Sequence, residues 1–589
     1  MPAPSTSTSL PDEKIILLSK DKLWLRLLHL SVPYTKVISS GFYLSGSLDP
    51  LAELRVNLSR ALGDSSFRCK FPARDQWLRS QFGELSFPDA GAASGACAEY
   101  DSWRGSQVVD SISIVYPDRN VQTSLGVFSH TFLKLNLARW PRSSNLNIAL
   151  GFAAELDPNE PFVSLVSKGL FGGYVAQFTF SNYYTEVNRY GESESRDIFE
   201  YDLKFSKSEI DFLLKHMWEL QDADFQYYFL SGNCSYHLLT LLEIARPSLD
   251  LSSGFDYVTV PSTSLRVVLA APDLVGKRHW IPGKQTRQNL MVARLSEPGR
   301  ALYRELRYGG LAFYSDLFSA RGISAEETAL ILDLLAESTR GRSDLALLRG
   351  EVLNYRSQLP VGGDVVALEF PSENPETAHG VELISVGFGQ DSGRSDTWAQ
   401  LRYRAALHNV LDPPSGYFRD STFELADLRV RYYGSREFDG SSFTLLNAVI
   451  LQSVTEDQFP ISWRARSRVN DFLSRAVWEN SGGVGFSKNF SSVSVSLMGL
   501  AETFMDSREK AGVGVFAGAS VGLGFNLFEM LRVQASLDRL SALQSVREGN
   551  YWQGEVSVGY SKNAAFSIQS SLVSSWRERS LILEGLYYY

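Results

Sequence analysis

The alternation of apolar and polar residues changes period along the chain, and those changes divide it into parts. From about residue 20 to 90, apolar residues recur every three or four positions in "DKLWLRLLHL", "LDPLAELRVNLSRALG" and "FPARDQWLRSQFGELSF". That spacing predicts helices, with Asp-Pro and Phe-Pro marking their starts. From about 108 to 185 the period falls to two, and "DSISIVYP", "SLGVFSHTFLKLNL", "NLNIALGFAAEL" and "GYVAQFTFSNYY" read as strands. Helices return in "SKSEIDFLLKHMWELQ" and "NCSYHLLTLLEIARP", then again between "EPGRALYRELRYG" and "RSDLALLRGEVLNYRSQLP". The expected divisions are a flexible lead over 1–14, a helical region over 15–107, an α+β domain with helical flanks over 108–290, a helical connector over 291–365 and a β domain over 366–589.

Past residue 375 the chain alternates in stretches of about ten residues separated by Gly, Asn, Asp and Ser. In "AGVGVFAGASVGLGFNL" (511–527) the odd positions are apolar, while the even ones are almost all Gly, Ser or Asn. "WQGEVSVGYS" (552–561) places Trp552, Val556, Val558 and Tyr560 on one face and Gln553, Glu555 and Ser557 on the other. Such dyads, with a chain end on three tyrosines, predict an antiparallel outer-membrane β-barrel of about 10–12 strands. A lipid-embedded sheet must close on itself to satisfy its edges. A soluble β-sandwich or lipocalin-like barrel is the alternative. Arg402 and Arg404, Arg429 and Arg431, and Arg464, Arg466 and Arg468 recur two residues apart and so share strand faces. In a barrel they face the lumen or rim. They form either an anionic-ligand site or, as favoured here, an internal ion-pair network with Asp427, Glu424 and Glu555.

Composition narrows the function classes. With 57 basic against 66 acidic residues the chain offers no electrostatic case for nucleic acid, and no nucleotide-binding loop or nucleic-acid motif is present. No run reaches the roughly 18–20 apolar residues of a membrane-spanning helix. The opening "MPAPSTSTSLPDEK" has neither the basic stretch nor the apolar run of a secretory signal, and reads as a mature N-terminus behind an added Met. Of three cysteines, Cys69 and Cys97 lie 28 residues apart in loop-like contexts and are expected to pair if the protein is exported. Cys234 is then an odd thiol that needs a use.

Cys234 stands directly before "SYHLLTLLEIA", in which Leu238, Leu239, Leu241, Leu242 and Ala245 mark a helix. A helix N-terminus lowers a thiol pKa, and its unsatisfied N–H groups stabilise an oxyanion. Asn233 is a candidate for an additional donor. His237 lies three residues on, too close for a productive base, whereas His130 in "GVFSHTFLKLNL" reads as a mid-strand histidine facing the helix. Neither Glu155 nor Asn147 can be assigned as its orienting partner by spacing. No His/Cys/Asp cluster has metal-ligand spacing, so neither metal nor cofactor is expected.

The segments "FSHTFLKL", "GLFGGYVAQFTFSNYYTEVNRY", "ESRDIFEYDLKFSKSEIDFLLKHMWEL" and "YYFLSGNCSYHLLTLLEIARP" together resemble the periplasmic domain of the bacterial lipoprotein N-acyltransferase Lnb. The resemblance covers roughly residues 110–290. It implies a circularly permuted papain-like α+β fold for 108–290, with Cys234 as nucleophile and His130 as base. By the same resemblance Arg196, Asp197, Glu200 and Tyr201 are structural or site-supporting. Ser129, Asn233, Tyr236 and His237, beside His130 and Cys234 in the chain, are the other oxyanion or supporting candidates, and "GLFGGY" is either a substrate-facing loop or a tight turn. The implied reaction is acyl transfer from a phospholipid to an amine such as a lipoprotein N-terminus, or lipid acyl hydrolysis, in the periplasm at the outer membrane. Two other readings stand beside it: a thiol amidase or peptidase acting on peptidoglycan, and a non-catalytic barrel pore or assembly protein.

Overall fold

The proline-marked helix starts fold as read. In the computed structural model, Asp49 caps α3 (Pro50–Gly63) by accepting from the Leu51 and Ala52 N–H groups, and Pro72 opens α5 (Pro72–Gln81). Around them lie α1 (Asp12–Leu18), α2 (Lys22–Leu27), α4 (Phe67–Lys70) and α6 (Ala98–Ser106). Trp24 of α2 stacks on Trp77 of α5 with ring centroids 5.0 Å apart. The predicted Cys69–Cys97 disulfide is present and ties α4 to the start of α6, with Cα atoms 5.0 Å apart. The structure describes residues 12–88, 97–106, 108–120, 126, 129–141, 144–157, 160–255, 258–308, 316–340, 343–359, 369–392, 397–417, 420–434, 438, 440–455, 459–473, 476–506, 513–528, 530–544, 550–575 and 579–589.

The described residues pack as two compact units, one from 1–120, 130–250 and 272–371, the other from 121–129, 251–271 and 372–589. The first is built on a seven-stranded antiparallel sheet. Its strands are β1 (Val109–Pro117), β2 (Phe132–Leu137), β3 (Ile148–Ala154), β4 (Tyr174–Asn182), β5 (Ile198–Leu203), β6 (Phe225–Tyr227) and β7 (Val275–Ile281), in the order β6-β4-β3-β2-β1-β5-β7. Between them run α7 (Phe162–Phe171), α8 (Tyr183–Val187), α9 (Lys207–Glu219) and α10 (Cys234–Ala245). A capping box between Ser206 and Glu209 starts α9. Every residue of α10 is buried, as for a helix covered on all sides, and it packs on β2 and β3. The helices α12 (Lys284–Ala293), α13 (Glu297–Tyr308), α14 (Asp316–Ala320), α15 (Ala325–Ser338) and α16 (Ala346–Gln358) follow α11 (Pro261–Ala270) and share a core around Leu302, Leu306, Ile331, Leu335 and Val352.

The second unit is a closed antiparallel barrel of twelve strands. They are β8 (Leu383–Asp391), β9 (Thr397–His408), β10 (Thr422–Tyr433), β11 (Ser442–Ile450), β12 (Ser462–Asn470), β13 (Val477–Phe490), β14 (Val493–Asp506), β15 (Val513–Phe528), β16 (Leu531–Gln544), β17 (Asn550–Ser561), β18 (Phe566–Ser575) and β19 (Arg579–Tyr588). The ring closes where β19 pairs with β8, for example Leu583 opposite Phe388. The alternation is inverted relative to a soluble protein. Val386 (52 % exposed), Phe388 (66 %), Leu401 and Leu583 point outward, while Gln400, Arg402 and Glu584 are buried inside. Val260, just before α11, joins this unit by clustering with Val381, Ala406 and Leu407.

Candidate functional site

Cys234 is the one free cysteine, and it is 4 % exposed. It is the first residue of α10, after Asn233, whose extended backbone and side chain make the helix N-cap. Asn233 Oδ1 accepts from the Ser235 N–H at 3.0 Å and the Tyr236 N–H at 3.3 Å, and its Nδ2 donates to the Phe229 carbonyl at 3.0 Å. This corrects the expected role of Asn233, whose amide N–H holds the loop before the cysteine. Its Oδ1 takes the Tyr236 N–H and shares the Ser235 N–H with the sulfur. Tyr236 is packed edge-on against Tyr34, with centroids 5.5 Å apart.

The Ser235 hydroxyl lies 3.9 Å from the sulfur, the Thr131 and Ser235 hydroxyls lie 3.1 Å apart, and the polar groups of both residues favour the thiolate. Burial nevertheless dominates and pushes the thiol above its ordinary value, whereas the sequence led us to expect a lowered one. Tyr227, at the end of β6, is a neighbour of Cys234; burial, then the adjacent thiol, raises its phenol well above the ordinary value. Nothing in the sequence marks Tyr227, because β6 is three residues long and has no legible period.

His130 precedes Thr131, so it stands one residue from a direct neighbour of the sulfur. It lies two positions before β2 and not within a strand, which corrects the mid-strand expectation. The reason is in the ladder. The β1–β2 pairing ends at Val115 opposite Phe132, and two further steps would set His130 against Pro117, which has no N–H to give. Ser129, in the left-handed region at φ 66°, turns the chain there. Tyr190 and Phe132 flank the imidazole, with centroids 6.0 and 6.2 Å away. Burial, then the charges of Arg189 and Arg196, push His130 down to about 3. Thiol and imidazole are therefore both neutral at rest.

The "SRDIFEY" residues buttress the sheet. Glu200 forms a buried ion pair with Lys134 of β2 at 2.9 Å and accepts from the Tyr183 hydroxyl. Asp197 accepts from the Gly283 N–H at 2.9 Å and Trp280 Nε1 at 3.1 Å, and Arg196 pairs with Glu194 and lies 5.2 Å from the Tyr190 ring. Tyr201 is fully buried on β5. His237 does not face the sulfur site. Its ring stacks on Phe152 at 4.1 Å and meets Phe225 edge-on at 4.9 Å, and neither ring nitrogen has a partner among the described residues. Asn147 closes the β2–β3 turn through the Leu137 N–H and the Ser144 carbonyl, and Glu155 is exposed. "GLFGGY" is a turn: Gly172, at φ 75°, caps α7, and a Cβ there would meet the Tyr228 ring at 2.5 Å. A cleft of about 680 Å³ opens elsewhere in this unit, lined by Ser39, Lys70, the Cys69–Cys97 disulfide, Tyr100 and Trp218, and by none of the predicted catalytic residues.

In the barrel, all seven arginines are partnered. Arg402 bonds Asp427 and Glu424 at 2.8 Å each, and Arg404 bonds Asp412 at 2.7 Å and Glu424 at 3.1 Å. Arg429 bonds Asp427, Arg464 bonds Asp538, and Arg466 and Arg468 bond Glu479. Arg431 bonds Gln400 and lies over the Trp398 ring. This is the ion-pair network expected, except that Glu555 accepts from Ser557 instead. Among the described residues one group has the chemistry of metal ligands: His379, His408 and Asp412, all buried, with His379 Nε2 2.9 Å from His408 Nδ1. Asp412 already accepts from Arg404, the Asn409 N–H, Gln569 and Tyr588, so it works as a clasp between the β9–β10 loop and strands β18 and β19. His379 lies 29 residues before His408, a distance at which sequence spacing is silent.

A cysteine-led buried helix on a seven-stranded sheet, with the His130 segment beside it, is the arrangement to compare with known domains. Residues 99–271 match the Lnb N-terminal periplasmic domain. Residues 372–584 match a domain of unknown function (DUF7840), and residues 17–81 match another (DUF7843). No curated protein matches the chain. Among solved structures, the KdgM porin in complex with disordered oligogalacturonate is 10 % identical, with a TM-score of 0.24, and the match covers 35 % of this chain and 99 % of that one. An outer membrane channel from Pseudomonas putida F1 is 13 % identical, with a TM-score of 0.24 and coverage of 39 % and 99 %. The NanC porin is 9 % identical, with a TM-score of 0.24 and coverage of 35 % and 99 %. Among the described residues no helix is long and apolar enough to cross a membrane, and the closed barrel carries its apolar residues outside. The protein is therefore an outer-membrane barrel joined to an Lnb-like periplasmic domain.

Proposed function

We propose that the protein is a thiol acyltransferase of the periplasm, with Cys234 as nucleophile and His130 as base, and that its Lnb-like domain is a permuted papain-like fold. The observation that carries this reading is the environment of Cys234. The one free thiol of the chain leads a fully buried helix, and the Ser235 hydroxyl beside it bonds to that of Thr131, the neighbour of His130. With thiol and imidazole both neutral at rest, the proton has to leave sulfur during the attack itself and not before it. His130 takes the Sγ proton as sulfur bonds to the carbonyl carbon of an acyl ester. The ester C–O bond then breaks, and the proton passes to the leaving alkoxide. The thioester is next attacked by an amine, which yields an amide and returns the thiol; water in place of the amine gives hydrolysis. The resemblance to Lnb supports a phospholipid as acyl donor and a lipoprotein amine as acceptor. The seven partnered lumen arginines do not favour an anion pore.

The test is intact mass spectrometry of the full chain in detergent after incubation with phospholipid, beside Cys234→Ser. A hydroxylamine-labile acyl mass mapped to Cys234, absent from the variant, supports the reading. An adduct equally present on Cys234→Ser, or a wild type that turns over no lipid and forms no thioester, overturns it.

A further inference from the structure

We propose that Arg189 and Arg196 form an anion site beside His130 that takes the phosphate of a glycerophospholipid acyl donor. The inference deepens the reading of Cys234 as an acyl-transfer nucleophile and rests on it. It starts from a rare element. Asn188–Ser193 is a π-helical turn directly after α8, a geometry that is uncommon and concentrates at functional sites. The turn carries Arg189 and Tyr190. Two backbone bonds close the chain on itself there: the Glu194 N–H donates to the Arg189 carbonyl at 3.0 Å, and the Arg196 N–H to the Tyr190 carbonyl at 2.8 Å. Ser195, in the left-handed region at φ 54°, makes the bend between them.

Both guanidinium groups meet at the Tyr190 ring. Arg189 Cζ lies 5.3 Å and Arg196 Cζ 5.2 Å from its centroid, and the His130 ring is 6.0 Å from the same centroid. The two charges reach the imidazole, which they help to hold down. One carboxylate serves both arginines, since Glu194 pairs with Arg189 Nε at 3.6 Å and also with Arg196. Glu186, on α8, accepts from the Ser181 hydroxyl at 2.8 Å. Neither guanidinium therefore has a carboxylate to itself. The arginines differ in access. Arg196 is 6 % exposed, and its Nε has no hydrogen-bond partner among the described residues. Arg189 is 63 % exposed, and Glu194 is its one ion-pair partner among the described residues, so its guanidinium is open to a ligand arriving from solvent. A guanidinium fork meets phosphate oxygens two at a time, which fixes orientation as well as charge. In a glycerophospholipid the phosphate is only a few bonds from the acyl ester. A headgroup held on Arg189 thus brings the ester carbonyl toward His130 and Cys234.

Two acyl donors separate headgroup recognition from an effect on His130. The full chain in neutral detergent is offered phosphatidylglycerol or diacylglycerol with the same acyl groups. The Cys234 thioester is followed in time by intact mass spectrometry for wild type, Arg189→Gln and Arg189→Lys. A change in the basicity of His130 alters both donors alike, so the ratio of the two rates reports the headgroup. The expected result is a wild-type ratio favouring phosphatidylglycerol that falls by about tenfold or more in Arg189→Gln and partly recovers in Arg189→Lys. Excess inorganic phosphate that slows the phosphatidylglycerol reaction alone supports the assignment. Slowing of both donors marks a free-phosphate site and overturns the headgroup role. A wild-type ratio near one, or a ratio unchanged in Arg189→Gln, overturns the assignment and leaves the nucleophile standing. A wild type that forms no thioester from either donor overturns both.

Discussion

The ion pair between Lys134 and Glu200 offers a direct test of whether "SRDIFEY" supports the fold or performs chemistry. The two side chains are 2 % and 5 % exposed and meet at 2.9 Å. Lys134 Nζ also lies 4.2 Å from the Tyr183 ring centroid, and Tyr183 donates to the other Glu200 oxygen. Removing one partner leaves a buried charge alone, which costs about 3–5 kcal/mol. Lys134→Met and Glu200→Leu should each lose that much. In the double variant no charge is stranded, and only the Tyr183 hydroxyl loses its acceptor, at about 1–3 kcal/mol. The two changes should therefore couple by at least about 3 kcal/mol. Urea-dependent hydrogen exchange of peptides from β2 and β5 in the full chain measures all three. Single variants costing below about 1 kcal/mol, adding in the double, would refute the reasoning. Glu200→Gln should leave the iodoacetamide rate of folded Cys234 unchanged, since Glu200 faces Lys134 and Tyr183 and not the sulfur.

Three further outcomes follow from the same geometry. With the Cys234 thiol pushed up and His130 down to about 3, alkylation of Cys234 should climb steadily as pH rises above neutral. A flat, fast rate from pH 5 to 8 would instead reveal a thiolate–imidazolium pair. His237 carries two ring nitrogens without partners in an aromatic core, so His237→Phe should hold the melting temperature or raise it, and a loss above about 2 kcal/mol would contradict this. The Cys69–Cys97 bond spans 28 residues, which in the chain-entropy account corresponds to about 3–4 kcal/mol. The Cys69→Ala/Cys97→Ala protein should unfold at correspondingly lower urea, whether or not reductant is present.

What the sequence revealed depended on whether the signal was periodic. The barrel was legible because most strands follow one rule, apolar outside and small or polar inside, and "AGVGVFAGASVGLGFNL" states it with Phe516 as its one departure. The α10 helix and its leading cysteine were legible for the same reason, as was the pairing of lumen arginines with Asp427 and Glu424. Features fixed by one atom were not. His130 looked like a strand residue because its neighbours alternate, yet Pro117 ends the ladder from the other side. Asn233 looked like a donor beside a nucleophile, but its position before α10 made it a cap. Tyr227 and the His379–His408–Asp412 cluster depend on contacts between segments, which no local pattern announces.

The raised thiol pKa of Cys234 bears on why the protein can keep such a residue at all. A free thiol in an oxidising compartment is lost to disulfide exchange or to the oxidation ladder at a rate set by its thiolate fraction and access. A permanently ionised Cys234 would be at risk between turnovers, with the Cys69–Cys97 bond in the same chain as one exchange partner. Burial lowers both factors together, and the neutral His130 does not restore the thiolate by ion pairing. Reactivity then has to be supplied with the substrate. On the proposed mechanism the acyl carbonyl would bring the electrophile, and His130 would take the proton only as the C–S bond forms. An activated resting thiolate would be faster toward every electrophile, whereas a buried neutral thiol would be spared until an acyl carbonyl is held against it.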